Sequence, residues 1–219
     1  MLEERTRLGV HAWLYRRVQR LVNLSARSRV LDLGCGTGAW LSRLHQAGYS
    51  DLWGIDRDSA HVAANNIHFV LGDLDDDNEA LKKSLGTTFS LITAIEIIEH
   101  VANPEKLIAL AASVLDTGGW FVITTPNIRS TPRRVRFLFT SKLEGFDDWW
   151  STNPEHIHPL VLEATKRVIL PKYPFTLEAA ESFDPQGGRR YARVVARSLA
   201  ALFSDELPGD TLCLILRKV

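Results

Sequence analysis

Cysteine, unbalanced charge and long apolar runs are all scarce in this chain, and each shortage excludes something. Two cysteines in 219 residues, Cys35 and Cys213, are too few for a disulfide framework and form no CxxC zinc pattern. Neither sign of charge is in excess: Lys+Arg and Asp+Glu both number 26, giving a formal net charge of zero. That counts against a dedicated nucleic-acid binder, which carries a strongly basic balance, so no nucleic-acid partner is expected. No apolar run reaches the roughly 18 residues of a membrane-spanning helix. The opening MLEERTRLGV mixes acids with bases and lacks an apolar run before a small-residue cleavage site, so it does not read as a secretory signal. What is present is 45% hydrophobic and 24% charged residues, enough for a full core and unlike a disordered chain. The expectation is one soluble, cytoplasmic α/β domain with an elaboration.

The apolar periodicity alternates along the chain. Residues 8–24 carry Leu8, His11, Leu14, Val18 and Leu21 at three- and four-residue steps, an amphipathic helix with Arg16, Arg17 and Arg20 towards solvent. Short strands are expected at 29–33, 52–56, 67–70, 89–95 and 120–125, with helices at 39–47, 58–65, 78–85 and 104–115 between them. The fourth strand is almost wholly apolar, as a strand buried on both faces should be. Strand–helix alternation with short connections implies a doubly wound parallel sheet covered on both faces. Residues 127–160 are polar, aromatic and proline-containing and read as a long excursion. Beyond it, a helix at 160–169, a strand at 175–183, a helix at 188–203 and a strand at 211–217 are expected.

The sharpest local feature is VLDLGCGTG at residues 30–38. A strand ending in glycines and opening a helix lets a ligand approach bare backbone at a helix N-terminus. Asp56 closes the second strand, where a carboxylate can accept both hydroxyls of a ribose. Asp73 follows the third, where it can accept from an adenine amino group. All three ends fall on one sheet edge, the edge at which doubly wound sheets bind ligands. A related glycine loop serves nicotinamide enzymes, but Ala39 stands where their third glycine often lies, and no Tyr-x-x-x-Lys pair occurs.

These motifs resemble the class I S-adenosylmethionine (SAM)-dependent methyltransferases. The likeness is carried by Asp32-Leu33-Gly34-Cys35-Gly36-Thr37-Gly38, Gly54-Ile55-Asp56, Gly72-Asp73-Leu74, Glu96-Ile97-Ile98-Glu99-His100 and Asp116-Thr117-Gly118-Gly119, over about residues 28–127. It implies a Rossmann-like, seven-stranded, mostly parallel sheet whose last strand runs antiparallel, with an insert after the fifth strand. It implies SAM as cofactor: the glycine loop with Gly34, Gly36 and Gly38 against the methionyl part and ribose, and Asp32 reaching the amino group through water. Asp56 would take the ribose, and Asp73 with the Leu74 backbone the adenine. The resulting division is a single domain: an N-terminal helix at 1–27, a SAM-binding core at 28–127, an acceptor-binding insert and elaboration at 128–209, and a final strand at 210–219.

Glu96, Glu99 and His100 follow the fourth strand, where methyl-transfer enzymes place substrate-facing groups. Their ExxEH spacing resembles the ubiquinone-biosynthesis O-methyltransferases and also the small-RNA 2′-O-methyltransferases, in which two Glu and two His hold a divalent ion. By that likeness Mg²⁺ or Mn²⁺ would sit on Glu96, Glu99 and His100, with His156 or His158 as the fourth ligand; the expectation adopted is that no metal is required. His156 and His158 would point the same way in an extended segment. The candidate catalytic residues are His100, Glu96 and His158. Arg129, Arg133, Arg134 and Arg136 read as a solvated helix face, with contact to an acceptor phosphate as the functional alternative. Residues 189–203 carry arginines opposite apolar residues and pack on the domain or rest on an anionic membrane surface. The expected reaction is O-methylation of a small-molecule, glycan or lipid-linked acceptor. A nicotinamide oxidoreductase and a non-catalytic SAM-binding protein are the rivals.

Overall fold

The fold was analysed in a computed structural model that describes residues 6–21, 24–59, 66–146, 156–184 and 207–219. The expected helix at 188–203 and most of that at 58–65 lie outside these residues, as does the 147–155 part of the excursion.

The elements in chain order are α1 (Val10–Leu21), β1 (Val30–Leu33), α2 (Ala39–Gln46), β2 (Leu52–Asp56), β3 (His68–Leu71), α3 (Asn78–Leu85), β4 (Phe89–Ile95), α4 (Pro104–Val114), β5 (Leu115–Pro126), α5 (Thr131–Thr140), α6 (Leu162–Ala164), β6 (Phe175–Phe183) and β7 (Thr211–Lys218). They build one seven-stranded sheet in the order β3-β2-β1-β4-β5-β7-β6. The pairs from β3 through β5 are parallel, and β7 runs antiparallel to both β5 and β6. This is the expected sheet, with its single reversed strand.

Local chemistry sets the boundaries. Gly38, at φ 76°, turns the glycine loop into α2. The Asp77 carboxylate accepts from the Ala80 N–H at the start of α3, and Gly86 ends that helix in the left-handed region. The Asn103 side chain accepts from the Lys106 N–H, with Pro104 in the first turn of α4. β4 is buried along nearly its whole length because both faces are covered. On one face Leu31, Leu33, Ile92, Phe121 and Ile123 meet α3, α4 and the Leu160–Leu170 segment. On the other, Val30, Leu52, Leu91, Val122 and Ile215 meet Val10, Leu14 and Val18 of α1 and Trp40, Leu41 and Leu44 of α2. Each such side chain contributes about 1.5–3 kcal/mol by leaving water.

The structure departs from expectation in four places. Arg17 does not face solvent: its Nε donates to Glu181 Oε2 at 2.7 Å, tying α1 to β6. β5 begins at Leu115, earlier than expected, and pairs with β4 across an irregularity between Phe89 and Leu91. The 127–160 excursion contains a helix, α5, opened by Ser130 and Pro132. The helix expected at 160–169 is one turn of α-helix passing into a π turn at Thr165–Ile169 and a 3-10 turn at Leu170–Lys172.

Candidate active site

Parallel strands deliver their C-terminal ends to one edge, and there a cavity of about 540 Å³ opens. Asp32, Gly34, Gly36, Asp56, Asp73, Leu74, Glu96 and His100 all line it. Four segments far apart in sequence thus converge on a space of the size that holds a small-molecule ligand. Gly38 is not among the lining residues; its place is at the head of α2.

The glycine loop is fixed from both sides. Gly34 sits at φ 72°, and a Cβ there would lie 2.5 Å from Ile97 Cγ1, so only glycine lets β1 turn beneath the residues that follow β4. The Gly36 N–H donates to Asp56 Oδ2 at 2.7 Å and the Asp58 N–H to Asp56 Oδ1 at 3.1 Å. Asp56 therefore braces the loop while facing the cavity, and each carboxylate oxygen retains a further lone pair for a ligand hydroxyl. Asp73 is held similarly, its Oδ1 accepting from the Asp75 N–H at 3.0 Å. Of the acidic run, Asp75 accepts from the Ala102 and Asn103 N–H groups, pinning the segment after His100 to the end of β3.

Asp32 is buried, and its Oδ1 accepts from Thr93 Oγ1 at 2.6 Å. Loss of solvent, opposed by that hydrogen bond and reinforced by the neighbouring Asp56 charge, pushes its pKa up to about 7. Burial also raises the Cys35 thiol, which marks a packing residue of the loop rather than a nucleophile.

The residues after β4 form the second half of the site. Glu96 has φ 51°, a left-handed conformation unusual for a residue with a side chain. It is held there by its N–H, which donates to the Thr124 carbonyl at 3.0 Å. Burial raises the Glu96 pKa, while Arg7 and Arg133 act in the opposite sense. Glu99 is buried outside the cavity lining; its Oε2 accepts from Thr125 Oγ1 at 3.0 Å, and Oε1 has no hydrogen-bond partner among the described residues. Desolvation first, and the Glu96 charge second, hold Glu99 well above the usual carboxylate range. The Glu99 carbonyl accepts from the N–H groups of both Ile157 and His158, at 2.9 and 3.1 Å.

Those two bonds hold the histidine segment against the residues after β4, with His156 and His158 half-buried and Ile157 exposed between them. His156 turns inward: its ring lies 4.6 Å from that of His100, and its Nε2 is 3.9 Å from Glu99 Oε1. Burial and the neighbouring His100 lower the His156 pKa to about 4, so it is neutral near pH 7. His158 meets Glu99 through its backbone N–H rather than its imidazole. Ligand atoms of Glu99, His100 and His156 lie within 4.8 Å of one another, so the carboxylate–imidazole cluster contains His156 where Glu96 was expected.

Two residues escaped the sequence reading. His11, read only as part of the apolar stripe of the first helix and given no site role, is 4% exposed and lines the cavity beside Trp40, with ring centroids 5.8 Å apart. A signal existed: His11 shares the helical stripe of Leu14 and Val18. Arg133, expected on a solvated helix face, is 2% exposed. No periodicity marked α5 as carrying a buried face.

A family model described as a methyltransferase domain matches residues 4–169. A ubiquinone biosynthesis O-methyltransferase of Bordetella avium is 29% identical over 115 residues, covering 50% of this chain and 47% of that protein. Its counterpart in Nitrosococcus oceani is 31% identical over 117 residues, covering 51% and 48%. The chain spans about half the length of the curated relatives it matches. A SAM-dependent methyltransferase structure from Archaeoglobus fulgidus superposes with TM-score 0.65 at 20% identity, covering 96% of this chain and 95% of that one, a likeness of fold.

Proposed function

The chain belongs to the methyltransferase domain family, and on that premise we propose that it transfers the methyl group of SAM to an oxygen of a small-molecule, glycan or lipid-linked acceptor. The observation that carries this reading is the convergence of Gly34, Gly36, Asp56 and Asp73 with Glu96 and His100 on one cavity. The first four offer backbone and carboxylates suited to an adenosyl group; the last two stand where an acceptor would meet the methyl carbon. The oxygen preference follows the relatives named as O-methyltransferases. The nicotinamide alternative gives way to family membership.

SAM supplies an activated methyl on a sulfonium, so no covalent enzyme intermediate is needed. The residues act by placement. Asp32, once ionised, pairs with the positive amino group of the methionyl part. Asp56 holds the ribose and, through Gly36, the loop beneath it. With SAM and acceptor bound, His100 would accept the acceptor's hydroxyl proton during transfer, a contribution of about 10²–10⁴-fold. Glu96, locked in its left-handed conformation, presents a carboxylate towards the cationic donor. Holding both partners in line away from water is the larger effect. Residues 128–209 supply the acceptor side in this reading, and His156 rather than His158 reaches His100. Among the described residues no helix is long and apolar enough to cross a membrane.

The decisive experiment is conversion of labelled SAM to S-adenosylhomocysteine (SAH) in an acceptor screen. Folded protein that binds neither SAM nor SAH overturns the proposal, and binding without turnover on any acceptor favours the non-catalytic alternative.

A second reading rests on the cluster of Glu99, His100 and His156. One buried oxygen of Glu99 has no hydrogen-bond partner among the described residues, and carboxylate and imidazole donors fit Mg²⁺ or Mn²⁺. Those three residues would hold the ion, which would lower the pKa of the acceptor hydroxyl. Turnover that survives EDTA supports the metal-free mechanism; turnover lost to EDTA and restored by Mg²⁺ or Mn²⁺ replaces it.

A further inference from the structure

Arg133 is the buried group that the mechanism above leaves idle. It lies in the first turn of α5, which follows β5 after a short connection. At 2% exposure it is among the largest fully buried side chains, yet its Nη1 is buried without a hydrogen-bond partner. A guanidinium this deep normally meets a carboxylate fork to fork, because an uncompensated buried charge is strongly destabilising. Among the described residues no carboxylate forms an ion pair with it. The acids whose charge reaches it are Asp210, Glu144 and Glu96, and each is engaged elsewhere. Asp210 accepts from Ser130 Oγ at 3.0 Å, and Glu144 pairs with Arg136 at 3.4 Å. Glu96 is shared with a second cation, Arg7, which also repels Arg133.

Position indicates what the missing partner belongs to. Arg133 does not line the donor cavity, so it is not placed for the adenosyl or methionyl groups. Its charge reaches Glu96, which lines that cavity, and Glu99 and His156, which cluster with the lining residue His100. Resting on the methyltransferase reading, we propose that Arg133 is an acceptor-anchoring residue that binds an oxyanion, carboxylate or phosphate, carried by the methyl acceptor. A two-pronged, charge-assisted pair fixes direction as well as distance, so this contact orients the acceptor hydroxyl towards His100 and the methyl carbon. The acceptors selected are therefore anionic ones, with the methylated oxygen at a fixed reach from the anion.

The test uses the whole protein saturated with SAH and two probes, benzoate and inorganic phosphate. The arginine side-chain Nε–H resonances are followed by NMR, and that of Arg133 is identified by its loss in Arg133→Lys. The expected result is a saturable shift of the Arg133 signal with at least one probe, larger than any shift of the exposed Arg16 and Arg20. The tighter probe distinguishes a carboxylate-bearing acceptor from a phosphorylated one. Calorimetry should show that probe binding at least tenfold weaker in Arg133→Met, with SAH affinity unchanged within twofold. The NMR titration of unaltered protein stands alone if Arg133→Met fails to fold. SAH binding together with an Arg133 signal that moves no more than Arg16 and Arg20 for both probes overturns the anion site alone. Folded protein that binds no SAH overturns the methyltransferase reading and this inference with it.

Discussion

Lowering the pH from 8 to 6 should weaken SAH binding about tenfold through Asp32. In the free protein this carboxyl is buried against Thr93 and titrates at about 7. Its raised pKa means that the ligand-free fold favours the protonated form. The amino group of SAM or SAH demands the ionised form, so binding below the pKa must expel a proton. With a pKa of about 7, roughly nine-tenths of Asp32 is protonated at pH 6, and expelling that proton costs about 1.4 kcal/mol, against roughly 0.1 kcal/mol at pH 8. The same sign governs stability without ligand: the unfavourable charge is absent at low pH and fully present above about 7, so the free protein should be stabilised as pH falls from 8 to 6. Calorimetry of SAH binding at pH 6, 7 and 8, in buffers of different ionisation enthalpy, measures both affinity and protons released. Close to one proton should leave per SAH bound at pH 6 and almost none at pH 8, and Asp32→Asn should abolish that dependence. Affinity flat across this range with no buffer-dependent heat would refute the pairing of Asp32 with the ligand amino group.

Asp56→Ala removes a ribose acceptor and also the brace on the Gly36 N–H, so SAH affinity should fall by about 1.5–3 kcal/mol in a calorimetric titration. Gly34→Ala places a Cβ 2.5 Å from Ile97 at a positive φ and should lower stability by about 1–3 kcal/mol, read as a reduced denaturant midpoint with unchanged slope. His100→Gln should reduce kcat by about 10²–10⁴-fold while leaving SAH affinity within about 1 kcal/mol; an unaltered kcat would remove it as the base. His156→Ala should depress turnover more than His158→Ala, because His156 meets the His100 ring edge to face; the reverse order would show that the segment rearranges when acceptor binds.

Much of this architecture was legible because it rests on local rules. β4 reads as a buried strand since FSLITAI has almost no polar face, and Gly38 and Gly86 punctuate helices at the expected places. The cavity residues could be named because glycines and aspartates at strand ends have few structural alternatives when three of them share an edge. The imidazole geometry was not legible. It depends on one carbonyl, that of Glu99, capturing two N–H groups from a segment more than fifty residues away, and no spacing rule encodes such a contact. Arg133 was hidden for a related reason. Its burial is a tertiary property, and a Thr-Pro-Arg-Arg opening looks the same on an exposed helix.

The place of β7 between β5 and β6 bears on how the chain is made. Synthesis proceeds from the N-terminus, so β5 and β6 both leave the ribosome before Thr211–Lys218, the strand that pairs with each of them. Until it arrives, two apolar edges with unpaired amides stand open, the condition under which chains associate wrongly. Asn127 offers a guide for that late insertion: its side-chain amide donates to the carbonyls of Leu207 and Gly209, drawing the approach to β7 onto the end of β5. Nascent chains stalled before Thr211 should therefore depend on chaperones, and the end of β5 at Pro126 should acquire its final shape only when the antiparallel strand slides home.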